Sequence, residues 1–214
     1  MKQYPKIFHD LDLDRYCYAF DKLDGSNVRF EWSKKRGWYK FGTRRTMISE
    51  KDELFGPSIN LFLNKYSEDL ERTFRDNRAY RNTEAFVVFG EYFGENSFAG
   101  QHDPNDDMDI VIFDINQYKK GFIPPRDFIR NFGHVHIPEL IYQGELTDDF
   151  IESIRNDSTL KEGVVIKGTR QTKGLDMVWM SKIKTNVWLE KIREKLGEKA
   201  LIEEFNGKIE LITI

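Results

Sequence analysis

Apolar and polar positions change period several times along this chain, and each change marks an element. Residues 16–20 are an unbroken apolar run, the pattern of a buried strand. In residues 27–32, Val28, Phe30 and Trp32 alternate with Asn27, Arg29 and Glu31, so the next strand has one buried and one polar face. Residues 38–42 read as a third strand, which delivers Thr43-Arg44-Arg45-Thr46 to its end. Asp24-Gly25 and residues 34–37 carry turn chemistry, glycine supplying the positive φ of hairpin turns. The expectation is an antiparallel meander.

The period then becomes helical. Ile59, Phe62, Leu63, Tyr66, Leu70 and Phe74 recur at helix spacing with charges between them, predicting an amphipathic helix over 58–75. A polar connector leads to a strand at 85–90, followed by Glu91-Tyr92-Phe93-Gly94. Residues 94–109 read as a loop. Their acidic run, 103–107, lacks the glycine and terminal glutamate of an EF-hand and reads as solvated. Residues 109–115 are almost continuously apolar, hence a strand buried on both faces. Pro124-Pro125 opens a short helix that Gly133 closes. Thr147 caps another over 148–155. Strands follow at 161–167 and 177–180, the second running into Ser181-Lys182-Ile183-Lys184. Trp188, Ile192 and Leu196 define a helix that Gly197 stops, and a last short strand is expected at 208–213. This is the pattern of one α+β domain, with antiparallel-rich twisted sheets and flanking helices.

Composition narrows the class. A chain of 214 residues with 17 Phe, 9 Tyr and 4 Trp can bury a substantial core, and 32% charge without a long single-sign block argues against disorder. No apolar run approaches the roughly 18 residues needed to cross a bilayer, so no membrane partner is expected. Met1-Lys2-Gln3-Tyr4-Pro5 lacks the apolar core of a signal peptide. The single Cys17 excludes an internal disulfide and a cysteine-rich zinc site. A cytoplasmic protein is expected. The net charge of −3 excludes a surface coated in positive charge for nucleic acid, but not a local basic groove. Lys34, Lys35, Arg36, Lys40, Arg44 and Arg45 form one basic group; Lys161, Lys167, Arg170, Lys173, Lys182 and Lys184 form another.

The candidate chemistry centres on Asp21-Lys22-Leu23-Asp24-Gly25-Ser26-Asn27. A lysine attacks only when neutral, and its reference pKa of about 10.4 must be lowered by burial or nearby cations. Lys182 and Lys184, two residues apart on a strand, present two ammonium groups to one side, which suits a phosphate. Glu91, Asp24 and Glu162 are acids for a ribose hydroxyl or a hydrated magnesium ion, and Phe113 is an aromatic that can stack on a base. Each has an ordinary structural reading: a surface ion pair, or a core phenylalanine. The order of the set carries the case.

That ordered set resembles the covalent nucleotidyltransferase superfamily of ATP-dependent ligases and capping enzymes. Lys22-Leu23-Asp24-Gly25 looks like its nucleophile motif, and Thr43-Arg44 like the short basic motif that follows. Phe89-Gly90-Glu91-Tyr92-Phe93-Gly94 resembles the third motif, and Val111-Ile112-Phe113-Asp114-Ile115 the strand of the base-stacking aromatic. Glu162-Gly163-Val164-Val165-Ile166-Lys167 is similar to the fourth, and Ser181-Lys182-Ile183-Lys184 to the fifth. The resemblance spans residues 16–186 and is strongest to phage-type RNA ligases of the RNA ligase 2-like group.

It implies the nucleotidyltransferase (adenylylation) fold of ligases, ATP as AMP donor, and Mg2+ or Mn2+. It implies that AMP is taken onto a lysine, moved to a 5′-phosphate of RNA and released when a 3′-hydroxyl attacks. Lys22 would be the nucleophile, Asp21 an adenine contact, Glu91 the ribose ligand and Phe113 the base platform. Lys182 and Lys184 would grip the α-phosphate, and Glu162 with Asp24 would position metal-bound water. Arg44, or Arg45 beside it, would meet a nucleic-acid or nucleotide phosphate, and Asn27 would orient a phosphate or the end being joined. Location would be the cytoplasm, that of the host if the chain is phage-encoded. Thirty residues follow Lys184. The whole of 1–214 is therefore read as one adenylylation domain, with 187–214 a short helix and strand and no appended oligonucleotide-binding barrel or helical domain. The alternatives are a minimal ATP-dependent DNA or nick ligase, and a non-catalytic binder of nucleotide or nucleic acid. GTP-dependent capping fits less well without the barrel. Protein partners are left open.

Overall fold

The computed structural model describes residues 1–172 and 174–205. Its first elements are β1 (Tyr16–Asp21), β2 (Ser26–Ser33), β3 (Gly37–Thr43), β4 (Met47–Ile48), α1 (Gly56–Asp76), β5 (Ala85–Phe93) and β6 (Asp109–Gln117). Then come β7 (Gly121–Phe122), α2 (Pro125–Phe132), β8 (Leu140–Glu145), α3 (Asp148–Arg155), β9 (Gly163–Thr172), β10 (Leu175–Lys184), α4 (Asn186–Leu196) and α5 (Glu198–Glu204). The chain is α+β, with antiparallel pairing in the registers of both sheets. Two compact units emerge. One comprises Met1–Pro5, Asp24–Pro138 and Gln171–Val178; the other comprises Lys6–Leu23, Glu139–Arg170 and the described residues from Trp179 onward.

The first unit is built on a six-stranded sheet in the order β4-β3-β2-β5-β6-β7. The alternation in β2 sends Val28, Phe30 and Trp32 into a core that α1 covers with Phe62, Tyr66, Leu70 and Phe74. Phe62 stacks on Phe30 at 3.7 Å between ring centroids, and Phe74 on Phe86 at 4.0 Å. Each such side chain contributes roughly 1.5–3 kcal/mol through burial. The opposite residues of β2 and β5, Asn27, Arg29, Phe89 and Glu91, fall on the other face. In β6 the register slips: Phe89 faces Asp114, but Gly90 faces Ile112. Phe113 is the extra residue of this bulge, and a bulge re-aims side chains. Phe113 and Asp114 therefore meet one ring, that of Tyr4.

The second unit is a four-stranded sheet, β10-β9-β1-β8, with a core of Cys17, Ala19, Leu146, Ile151, Ile154, Val164, Ile166 and Ile183. Thr147 caps α3, accepting a hydrogen bond from the Phe150 amide at 3.2 Å.

The expected opening meander does not form. The β2–β3 hairpin is present, but β1 belongs to the other sheet, between β9 and β8. Eight consecutive residues of β2 pair with β5, and that long-range ladder displaces a local β1–β2 hairpin. Gly25 does not adopt a positive φ. It is glycine because a Cβ would lie 2.6 Å from the Tyr92 carbonyl oxygen and 2.8 Å from Phe93 Cβ. Strand β8 was not expected, because it is mostly solvent-facing and shows no apolar alternation. Helix α5 was not expected either: Gly197, at φ +85°, ends α4 and begins another helix. The strand foreseen at 208–213 lies outside the described residues, as does Lys173.

Candidate active site

In the second unit, three backbone bonds bring the lysines and the glutamate together. The Lys22 amide donates to the Gly163 carbonyl at 2.9 Å, directly after β1. The Thr185 amide donates to the Glu162 carbonyl at 3.1 Å, directly after β10. The Asp21 amide is tied to the Glu139 carbonyl at 2.9 Å. Gly163, with φ +138°, allows this closeness: a Cβ there would stand 2.1 Å from the Ile183 carbonyl oxygen.

Glu162 is 4% exposed and is shared between two cations. Its Oε2 lies 2.6 Å from Lys22 Nζ, and its Oε1 is ion-paired to Lys184. Breaking such a buried pair costs about 3–5 kcal/mol, because the survivor is left without a counter-charge. Lys182 and Lys184 alternate with Ile183, which enters the core. Lys182 is paired with Glu204 of α5. Burial pulls the Lys182 pKa down, as do the charges of Lys22 and Lys6, while Glu204 pushes it up. Burial acts to raise Glu204, but Lys184, His9 and Lys182 outweigh it and hold the carboxyl well below its ordinary value. Asp21 is shifted upward by burial and by Glu139, against the Lys22 amide and the charges of Lys22 and Lys161. Its Oδ1 is buried without a hydrogen-bond partner.

In the first unit, Asn27 and Glu91 are cross-strand partners on β2 and β5. Asn27 Oδ1 is buried and has no hydrogen-bond partner. Phe113 stands edge-on to Tyr4 at 5.0 Å between centroids, and the Tyr4 hydroxyl donates to Asp114. The Tyr4 pKa is raised well above the usual value by burial, then by Asp114 and Glu91; Arg44 opposes the shift. Arg44 and Arg45 are both exposed in the β3–β4 connection, and of the two it is Arg44 whose charge acts on Tyr4. Asp24 Oδ1 accepts from the Ala99 amide at 2.8 Å.

The expected residues thus fall into two sets. Asp21, Lys22, Glu162, Lys182 and Lys184 share the second unit. Asp24, Asn27, Arg44, Arg45, Glu91 and Phe113 share the first. The second basic group is not a solvated face, since Lys167, Lys182 and Lys184 are buried, with Lys167 Nζ 5.1 Å from the Phe20 ring centre. Tyr4, His9, Asp114 and Glu204 were missed. Only Asp114 left a trace, as an acid inside an apolar run; the others sit in stretches without periodicity.

A sequence model of the RNA ligase family matches residues 15–184. The chain belongs to the RNA ligase family. Its fold is also that of solved RNA ligases. A lysine-to-alanine mutant of the Naegleria gruberi RNA ligase, solved with ATP and Mn, superposes with a TM-score of 0.60 at 19% identity. The match covers 90% of this chain and 61% of that one. An archaeal ATP-dependent RNA ligase gives 0.59 at 14% identity, over 98% of this chain and 66% of that one. This chain therefore spans about three fifths of the length of the Naegleria enzyme. No curated protein sequence matches it. No helix among the described residues is long and apolar enough to cross a membrane.

Proposed function

We propose that this RNA ligase family member is an ATP-dependent RNA ligase working through a lysyl-AMP intermediate, with residues 1–214 as its adenylylation domain. The observation that carries the reading is buried Glu162, held between half-buried Lys22 and buried Lys184. Lys22 Nζ forms a bond to the α-phosphorus of ATP as the bond to the pyrophosphate oxygen breaks. The lysine proton has an acceptor in Glu162, 2.6 Å away. Lys182 and Lys184 hold the phosphate charge. AMP then passes to a 5′-phosphate, freeing Lys22, and a 3′-hydroxyl displaces it to close the strand.

The other roles are proposed on the family resemblance, supported where the geometry bears on them. Asp21 and Asn27 each carry a buried, unpartnered oxygen, which suits contact with a nucleotide donor or a bridging water. Glu91 takes the ribose and Phe113 the base. Arg44 is preferred to Arg45 for a phosphate, on its electrostatic reach to Tyr4. The donor set suits a magnesium or manganese ion held mainly through phosphate and water: no group of three metal-ligating side chains converges among the described residues. Glu162 would hold its water in the second unit, the family resemblance alone proposes Asp24 for the same role, and the ion would neutralise phosphate charge. The Naegleria structures with ATP or AMP and Mn support that choice. RNA ends are the proposed substrates, in the RNA ligase 2-like manner, and the cytosol is the proposed location.

Incubation with ATP and magnesium or manganese is expected to leave one AMP on Lys22 by intact mass and peptide mapping. Lys22→Ala is expected to lose the label while still melting cooperatively, at a lowered temperature, because Glu162 keeps Lys184 as its counter-charge. A wild-type protein that takes up no AMP under either metal would sink the proposal.

A further inference from the structure

The two lysines assigned to phosphate are already occupied. Glu204, the last residue of α5, directs its carboxylate between them. One oxygen, Oε1, is ion-paired to Lys182, lies 3.5 Å from Lys184 Nζ and lies 3.4 Å from His9 Nε2. Three nitrogens converging on one anionic oxygen is the arrangement that recognises a phosphoryl oxygen.

The contact is built rather than casual. Leu201, one turn before Glu204, is fully buried, and Phe205 directly after it lies against the His9 ring at 4.4 Å between centroids. His9 belongs to the same frame as the lysines. The carbonyl of its neighbour Phe8 accepts from the Lys182 amide and from Ser181 Oγ, both at 3.1 Å. Glu162 already serves Lys22 and Lys184, so Glu204 is a second anion beside Lys184.

We propose that Lys182, Lys184 and His9 form a three-donor cradle for a nucleotide phosphoryl oxygen, and that Glu204 is a built-in competitor that fills it until nucleotide displaces it. The inference rests on reading Lys182 and Lys184 as phosphate-binding residues. It adds His9 as a contact and assigns α5 a role in setting affinity. Two anionic oxygens cannot occupy one position. Apparent affinity for phosphate therefore falls by the fraction of protein in which Glu204 has withdrawn.

The test is calorimetric titration of the full chain with AMP, and separately with inorganic phosphate, at fixed ionic strength. Glu204→Gln is expected to bind both about tenfold more tightly, within the range of ordinary coupling energies. Leu201→Ala, which loosens α5 without touching a charge, is expected to shift affinity in the same direction. Adding His9→Ala to Glu204→Gln is expected to remove part of the gain. Thermal melts establish that each variant is folded, and Glu204→Gln decides the matter if Leu201→Ala is not. Equal or weaker AMP binding by Glu204→Gln overturns the proposal and makes Glu204 a residue that positions the lysines. A gain untouched by His9→Ala overturns the third donor. Labelling of Lys22 by ATP, run in parallel, keeps the two readings apart. Gained phosphate affinity without labelling upholds the cradle and sinks the ligase; labelling without gained affinity does the reverse. Loss of AMP and phosphate binding in every variant sinks the cradle outright.

Discussion

Glu162 is one residue with two counter-ions, and that count governs its chemistry. A carboxylate between half-buried Lys22 and buried Lys184 supplies both with a counter-charge and offers an acceptor for the proton of the proposed nucleophile. Asp21, one residue before the proposed nucleophile, is balanced the other way. Burial, then Glu139, raises its carboxyl above the ordinary carboxylate value, so the folded chain binds a proton there more readily than the unfolded chain does. The stabilisation from that proton is complete below the unfolded value and is lost as pH rises through the raised folded value. Asp21→Asn, which mimics the neutral acid, is therefore expected to melt like the wild type at about pH 3 and above it near pH 8. Melting curves of both proteins across that range check this, and a constant offset would contradict it. The motif residues were legible because short local runs of lysines and acids follow one another in a recognisable order. Tyr4, His9 and Glu204 were not legible, because no spacing ties residue 4 to residue 114, or residue 9 to residue 204.

The elements that matter most are β9 and β10, because their pairing brings Glu162 to Lys184. Gly163 is the hinge of that arrangement. It has a φ that L side chains avoid, and the Ile183 carbonyl occupies the place of a Cβ. Gly163→Ala must push β9 away from β10 and move the Glu162 carboxylate with it. Loss of Lys22 labelling by at least a hundredfold is expected, together with a lowered melting temperature. An alanine variant that labels at the wild-type rate would show that the close approach is dispensable. The bulge in β6 does comparable work in the first unit, turning Phe113 and Asp114 toward one ring. Helix α1 was readable from its apolar stripe alone, and it begins two residues earlier than expected, with Pro57 in its first turn. Strand β8 was unreadable: an edge strand facing solvent carries no hydrophobic alternation, and it is identified only by its pairing with β1.

At the scale of the whole molecule, the two units each enclose a core of their own, one aromatic and one aliphatic. The net charge of −3 provides no general attraction for nucleic acid, so selection among strands must come from local groups. Sealing of nicked RNA, nicked DNA and single-stranded RNA by the full chain is expected to rank an RNA substrate first. Pre-adenylylated ends should be joined with Lys22 no longer required for charging. A preference for nicked DNA in side-by-side gel assays would favour the DNA-ligase alternative.

By itself, the sequence determined the α+β class, the strand that leads into Lys22, the helix over α1, and an ordered set of lysines and acids. These are local properties: period, turn chemistry and spacing act between near neighbours. The tertiary structure decided that β1 leaves β2 for another sheet, that Phe113 is bulged, and that Glu162 is shared between two lysines. It also decided that Glu204 occupies the cradle beside them. Each of these depends on groups far apart in the chain competing for the same hydrogen bond or the same charge, and such competition has no signature in any single stretch of residues.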